Sequence, residues 1–335
     1  MMDLVAFIGY RAGRIRGALA AAAGFFTPAL VLVLGLSWAY VEYGASDGAK
    51  DLIVGLDAIV VGVVASVAWD FAGEHLRGKL AIFLALAAFG VGIAGVNLLW
   101  AVLGALIVGA LFLRPEPNSE IMIPSDVAHI SGRRLALALV PLVVVAAAAI
   151  AAALAPGELG ALVADMAKIG TIAFGNGYTI LPVLQQDVVT THHWLTISAF
   201  GAGIAFGQMT PGPIMITAVF VGFVVMGWWG GLLAGVAIFA PSVAITVVVA
   251  EIYPFLRRFA AVPGAITGIL AAFVGLLATV VLTLGRQVVG VPAAVVLAVC
   301  AFTTVRLWKW NLLLVIGGGL AVWAVYVGLG GPIHV

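Results

Sequence analysis

The stretch from Gly231 to Ala250, GLLAGVAIFAPSVAITVVVA, carries no ionisable side chain over twenty residues. A helix of that length is about 30 Å long, the thickness of the hydrocarbon core of a bilayer. Comparable apolar runs recur along all 335 residues. Apolar residues make up 64% of the chain and charged residues 9%, whereas a soluble domain carries about 25% charge. Too little polar surface remains to cover a water-soluble fold, and the mean hydropathy of +1.25 agrees. In hydrocarbon each backbone N–H and C=O must be bonded within the protein, so only helices or a closed barrel can span. Barrel strands alternate apolar and polar residues, but these runs are continuously apolar. The expected fold is therefore all-α, a polytopic membrane protein whose partner is the lipid bilayer.

Hydropathy divides the chain into about eleven transmembrane spans. They fall at 16–38, 52–69, 80–96, 98–113, 135–155, 166–184, 198–223, 231–250, 263–284, 292–305 and 310–329. The 80–113 stretch also reads as a hairpin turning at Asn97, and 292–329 as one turning near Lys309 and Asn311. With the N-terminus cytoplasmic and the C-terminus outside, inside loops hold twelve of the fifteen Lys and Arg residues, among them Arg11, Arg14, Arg16, Arg77 and Lys79. That separation is what the positive-inside rule requires. A net charge of +1 offers no field to nucleic acid. Cys300, the single cysteine, forms no intrachain disulfide.

The chain also repeats itself. At a constant offset of 213, Gly9 meets Gly222, Gly17 meets Gly230, Phe26 meets Phe239, Pro28 meets Pro241 and Gly62 meets Gly275. One residue of slip later, Asn97 meets Asn311. The charge map puts matched stretches on opposite sides, so the units are expected to have inverted topology, as in alternating-access transporters. The expected organisation is a first repeat at 1–134, a linker transmembrane helix at 135–161 and a second, complete repeat at 162–335. Counterparts of residues 162–213 would precede residue 1, so the first repeat is expected to be incomplete at its start.

Polar and backbone-irregular residues gather in the second repeat. Lys168 opens the expected 166–184 span and has Asp165 on its own face, three residues back. Two readings stay open for it: an ammonium snorkelling to the surface, or one that attracts an anion. Gly175, Asn176 and Gly177 interrupt the span, as helix-packing positions or as backbone that approaches a ligand. Pro182 then bends or ends the helix. In AFGQMTPGPIMI, the Pro211-Gly212-Pro213 step interrupts the 198–223 span, either as a structural kink or as a break into two half-helices. A helix beginning at Pro213 presents N–H groups that attract anions. With Gln208 and Thr210 beside the break, these elements converge on a site for a small anion, poor in fixed charge. Asp57 reads either as a proton-coupling residue or as one near the membrane edge. His192 and His193 have no Cys, Asp or Glu at ligand spacing, so no metal is expected. No cofactor is expected either. No acid, base and nucleophile cluster at membrane depth points to an enzyme.

The segments KIGTIAFGNGYTILPVL, HHWLT and GQMTPGPIMITAVFVG, in this order, resemble the chromate ion transporter family. So does the paired pattern starting at Ile8 and Val221. The resemblance implies export of chromate, a tetrahedral oxyanion dianion similar to sulfate, across the bacterial cytoplasmic membrane, conferring chromate resistance. The candidate substrate-binding residues read from the chain are Lys168, Gly175, Asn176, Gly177, Gln208, Thr210, Pro211, Gly212 and Pro213, and of these Gly175, Gly177, Gln208 and Thr210 to Pro213 fit the family's pattern. Asn176 departs from the family's run of adjacent glycines. Transport of another anion such as sulfate, or a transport-inactive subunit, is the alternative. A homodimer is compatible with either.

Overall fold

A computed structural model describes residues 2–44, 46–113, 132–173, 177–210, 212–256, 259 and 261–332. The described residues are helical almost throughout. In chain order the helices are α1 (Met2–Tyr43), α2 (Asp47–His75), α3 (Lys79–Ile93), α4 (Leu98–Phe112), α5 (Gly132–Leu154), α6 (Glu158–Thr171), α7 (Leu181–Gln185), α8 (Ile197–Met209), α9 (Thr217–Leu256), α10 (Ala261–Val288), α11 (Pro292–Trp308) and α12 (Leu312–Gly328). Large apolar side chains on α3, α4, α5, α11 and α12 are exposed, among them Trp100, Val143, Val296 and Leu314. On a protein of this composition, that surface faces lipid.

Five helices are long and apolar enough to cross a membrane: α1, α2, α5, α9 and α10. Two of these are not straight. On a continuous helix, residues eight apart are separated by about 12 Å. Yet a Cβ built on Gly9 would lie 2.5 Å from the Gly17 carbonyl oxygen, and one on Gly222 would lie 2.2 Å from that of Gly230. Both helices therefore double back. The reversals use the same backbone: Gly13 (φ −141°, ψ 24°) with Arg14 (φ 56°, ψ −145°), and Met226 (φ −140°, ψ 22°) with Gly227 (φ 62°, ψ −149°). These residues are again 213 apart. Arg14 occupies a conformation suited to glycine, and its guanidinium is held by Glu251 at 2.8 Å. The longer arms, 15–43 and 228–256, make the crossings.

The repeat register is carried by contacts as well. A Cβ on Gly62 of α2 would lie 2.2 Å from Ala298 O of α11, and one on Gly275 of α10 would lie 1.9 Å from Ala85 O of α3. Ala85 and Ala298 are themselves matched, so each half packs its long helix into the short hairpin of the other. Phe26 and Phe239, also matched, touch edge to face at 4.9 Å between centroids. Along the longer arms, Gly235 faces Phe26 and Gly231 faces Leu34. One arm thus ascends in number where the other descends. Matched helices that pack antiparallel are related by an axis in the membrane plane, so the halves are inverted.

The remaining apolar helices, α3, α4, α8, α11 and α12, are shorter. At 13 to 17 residues they reach about 20 to 26 Å, less than a hydrocarbon core. They pair instead. α3 and α4 fold back along α10, with Ala85 and Gly92 beside Gly275 and Thr279, and Gly109 beside Gly264 and Gly268. α11 and α12 fold back along α2, with Ala298 beside Gly62 and Trp323 beside Gly55. Both hairpins turn at the expected asparagines.

The expected crossings at 166–184 and 198–223 are different. His192 Nε2 lies 2.6 Å from Asp165 Oδ2, and Lys168 Nζ lies 2.8 Å from Asp187 Oδ2. Residues before and after the 166–184 stretch therefore share one side, and the stretch is re-entrant. In the second stretch, Thr217 Oγ1 donates to Gly203 O at 3.3 Å and Gly203 abuts Phe220. α8 and the first arm of α9 are antiparallel neighbours, not half-helices in line. Hydropathy measures how apolar a segment is, and a pair of short buried arms is as apolar as a span.

The tight crossings give a direct test. Gly62→Leu and Gly275→Leu each drive a side chain into a facing backbone carbonyl, an overpacking that costs about 1 to 3 kcal/mol. Both variants should lower the thermal midpoint of the detergent-solubilised protein, followed by size-exclusion fluorescence. Gly285→Ala, where nothing lies within 4 Å of the added Cβ, should melt as the parent does. A Gly62→Leu protein with parental stability would be incompatible with the α2–α11 crossing.

Candidate oxyanion site

Two re-entrant hairpins meet at their tips. The first descends as α6, where Gly170 lets the helix press against Ile238 O of α9. It returns from Gly177, whose φ of 86° is left-handed, through a 3-10 turn at Tyr178–Ile180 into α7. Pro182 lies in the first turn of α7, so it starts the returning arm instead of ending a span. A π-helical turn, Gln186–Thr191, completes the arm. The second hairpin enters as α8, whose N-cap Thr196 accepts from Ala199 N at 3.1 Å. Thr210 and Pro213 are extended (φ −99°, ψ 143° and φ −75°, ψ 140°). Helical structure resumes at Ile214, one residue later than Pro213.

The tips are joined by Gln208 Nε2, which donates to Tyr178 Oη at 2.5 Å. A Cβ on Gly177 would sit 3.0 Å from Ile214 Cγ2, so only a residue without a side chain fits comfortably. Between the tips opens a cavity of about 380 Å³. It is lined by Tyr178, Gly207, Gln208, Thr210, Gly212, Pro213 and Ile214, and on the far side by Asn311, Leu312 and Leu313 at the N-terminus of α12. Gln208, Thr210, Gly212 and Pro213 are thus brought to one cavity, and Gly177 borders it. Gly175, Asn176 and Pro211 lie outside the described residues.

The α12 terminus was missed in the sequence. Asn311 Oδ1 accepts from Leu313 N at 3.0 Å, an N-cap. Asn97 does the same for Leu99 N, also at 3.0 Å. There the similarity stops. At the first tip Gln186 Oε1 accepts from Leu98 N at 3.0 Å and Gln186 Nε2 donates to Val96 O at 2.8 Å. A side-chain amide plugs the α4 terminus, whereas the matched α12 terminus faces the cavity. An asparagine ahead of an apolar run was the available signal.

Lys168 is placed elsewhere. It does not line the cavity; its ammonium lies 2.7 Å from Asp165 Oδ1 and 2.8 Å from Asp187 Oδ2. His192 bonds the other Asp165 oxygen and stacks on Trp194 at 4.2 Å between centroids. These charges clamp the two arms at the base of the first hairpin. A second cavity, of about 700 Å³, lies between α11 and α12 and is lined by Val296, Leu314, Trp323 and other mostly apolar residues. It offers an oxyanion almost no donors.

Inverted helical halves, re-entrant hairpins and a cavity at their tips that carries amide and hydroxyl groups define the class of polytopic membrane transport proteins. The chain belongs to the chromate transporter family, whose model matches residues 1–110 and 160–324. It is 29% identical to a chromate transport protein of Cupriavidus metallidurans over 324 residues, covering 96% of this chain and 78% of that one. A chromate transport protein of Pseudomonas aeruginosa is 28% identical over 348 residues, covering 98% and 80%. An uncharacterized transporter of Methanocaldococcus jannaschii is 27% identical over 326 residues, covering 94% and 78%. No solved structure matches significantly.

The clamp is testable apart from transport. Lys168→Met leaves two carboxylates facing each other and should cost roughly 1 to 2 kcal/mol, allowing for the solvent that reaches this half-exposed group. Adding Asp187→Asn should recover part of the loss. A double-mutant cycle by denaturation in detergent reads the coupling. A coupling of zero would remove the clamp.

Proposed function

We propose that the protein is a secondary transporter that exports chromate by alternating access. The observation that carries this reading is the cavity where two helix breaks and the α12 N-terminus converge. Backbone N–H groups and partial helix charges bind anions without fixed cations. The matched tip supports the idea: there an acceptor oxygen, Gln186 Oε1, already occupies the equivalent amide. An oxyanion oxygen would take that place at Leu312. Gln208 and Thr210 add side-chain donors. Gly177, Gly212 and Pro213 border it at the two breaks, and on the sequence alone we assign Gly175, Asn176 and Pro211 to the same site. Lys168 serves the site from a distance, by holding the first hairpin shut at its base.

The units that move are a first repeat at 1–134 and a second at 162–335, joined by the 135–161 segment, which lets the second unit enter inverted. By the charge map of the sequence we assign Arg11, Arg14, Arg16, Arg77, Lys79 and Arg133 to the cytoplasmic side of a bacterial membrane. The C-terminus is then outside. The membrane potential is worth about 2.3 kcal/mol per charge per 100 mV, so an internal dianion is drawn outward. Sulfate has the same charge and tetrahedral shape, and backbone donors discriminate poorly between the two. Sulfate is therefore the competitor to measure.

Everted membrane vesicles should take up labelled chromate, and excess sulfate should reduce the uptake. A hydrogen bond to a charged group is worth about 1.5 to 3 kcal/mol, so Gln208→Ala should slow transport roughly tenfold or more with insertion intact. Pro211→Ala, which allows the break to heal into helix, should also slow it. Correctly inserted protein that moves no chromate would end this reading.

A further inference from the structure

Asp57 is the eleventh residue of α2, about 15 Å along the helix, and only 7% exposed. Ser198 of α8 bonds its Oδ2 at 2.5 Å. Its Oδ1 is buried without a hydrogen-bond partner among the described residues. That oxygen packs against Gly201, where a Cβ would come within 2.7 Å of it. Leu284 of α10 closes the same spot. Among the described residues no cation pairs with Asp57. The titratable neighbour that feels its charge is Tyr40 of α1, and among the described residues no ionisable group of α8, α10, α11 or α12 acts on Asp57.

A buried carboxylate ion with one oxygen unbonded and no countercharge is costly. A neutral carboxyl is not: its proton on Oδ2 can be shared with Ser198 Oγ, leaving Oδ1 as a carbonyl against Gly201. The fold does not need a carboxyl at this position, because the matched residue in the other half is Leu270. Asp57 also touches a part that bears on the site. Ser198 and Gly201 lie near the start of α8, and Gln208 and Thr210 lie at its end. A displacement of α8 that opens the tip cavity also uncovers Asp57.

We propose that Asp57 is the proton-carrying residue of the transport cycle, protonated while α8 packs on α2 and ionised when α8 moves away. On opening, the O–H bond of the carboxyl breaks, the proton passes to entering water, and the carboxylate is hydrated. Closing takes a proton up again. Oxyanion movement and proton movement are thereby linked through one rigid helix. The inference rests on the reading of the α8 tip as an oxyanion site.

Infrared difference spectroscopy of the full chain in liposomes reads the proton directly. At neutral pH the parent should show the C=O stretch of a protonated carboxyl, Asp57→Asn should lack it, and chromate or sulfate should change its amplitude. Ser198→Ala should move the pH at which the band disappears, which a carboxyl elsewhere would not do, and it serves if Asp57→Asn fails to fold. A band that persists unchanged in Asp57→Asn, or does not move in Ser198→Ala, or ignores both oxyanions, overturns the proposal. Vesicles that move no chromate while the band still responds to oxyanion would instead count against export alone.

Discussion

Every helix break inside a membrane leaves peptide groups that lipid cannot satisfy, and this fold is organised around where those groups go. Breaking α6 from α7 and α8 from α9 frees donors and acceptors at two tips. Each would cost several kcal/mol in hydrocarbon. The chain avoids that by bringing the tips together under cover of α10 and the α11–α12 hairpin. Close approach requires small residues, so Gly170 sits on the Ile238 carbonyl and Gly203 beneath Phe220. The same need makes the tips chemically useful, since backbone polar groups that line a cavity can bind an ion in place of water.

The inverted halves solve the packing problem once and use the solution twice. α2 enters the α11–α12 hairpin as α10 enters α3–α4, through Gly62 on Ala298 and Gly275 on Ala85. The proposed site lies where the symmetry fails. Gln186 fills one asparagine-capped tip, and the matched tip opens on the cavity. Asp57 stands where the other half has Leu270. Arg14 bears, in the left-handed region, a side chain that Gly227 does without, and the Glu251 carboxylate holds it.

Much of this was legible beforehand. Continuous apolar runs dictated an all-α membrane protein, and the glycine and proline register from Gly9 to Gly275 reappears as equal backbone angles and reciprocal contacts. The Pro211–Pro213 step announced a break. Re-entrance was not legible, because a pair of 13-residue arms and one long span have the same hydropathy. Contacts between the arms distinguish them, such as Asp165 with His192 across the first hairpin and Thr217 with Gly203 across the second. Nor could spacing place Lys168: three residues from Asp165 it reads as a local pair, while its second partner, Asp187, lies on the returning arm. The α12 terminus was hidden for a related reason. Asn311 is more than a hundred residues from Thr210, and only the swapped packing of the halves brings them to one cavity.

The division of charge between base and tip suits the carrier proposed above. A lysine facing a dianion in a cavity of low dielectric would bind it by many kcal/mol, and such a site would fill and not empty. Here the ammonium of Lys168 is already matched by Asp165 and Asp187, and the cavity is left with amide, hydroxyl and helix-end dipoles. Each is weak alone and useful only while the tips are held in register. The strength of the site therefore depends on hairpin geometry. Under the proposed function, a small displacement of α8 would change the position of Gln208 and Thr210 together, and with it the number of donors that reach one oxyanion. Affinity that depends on the alignment of several weak dipoles can change between two conformations by more than any single hydrogen bond, which is the property that alternating exposure of one site requires.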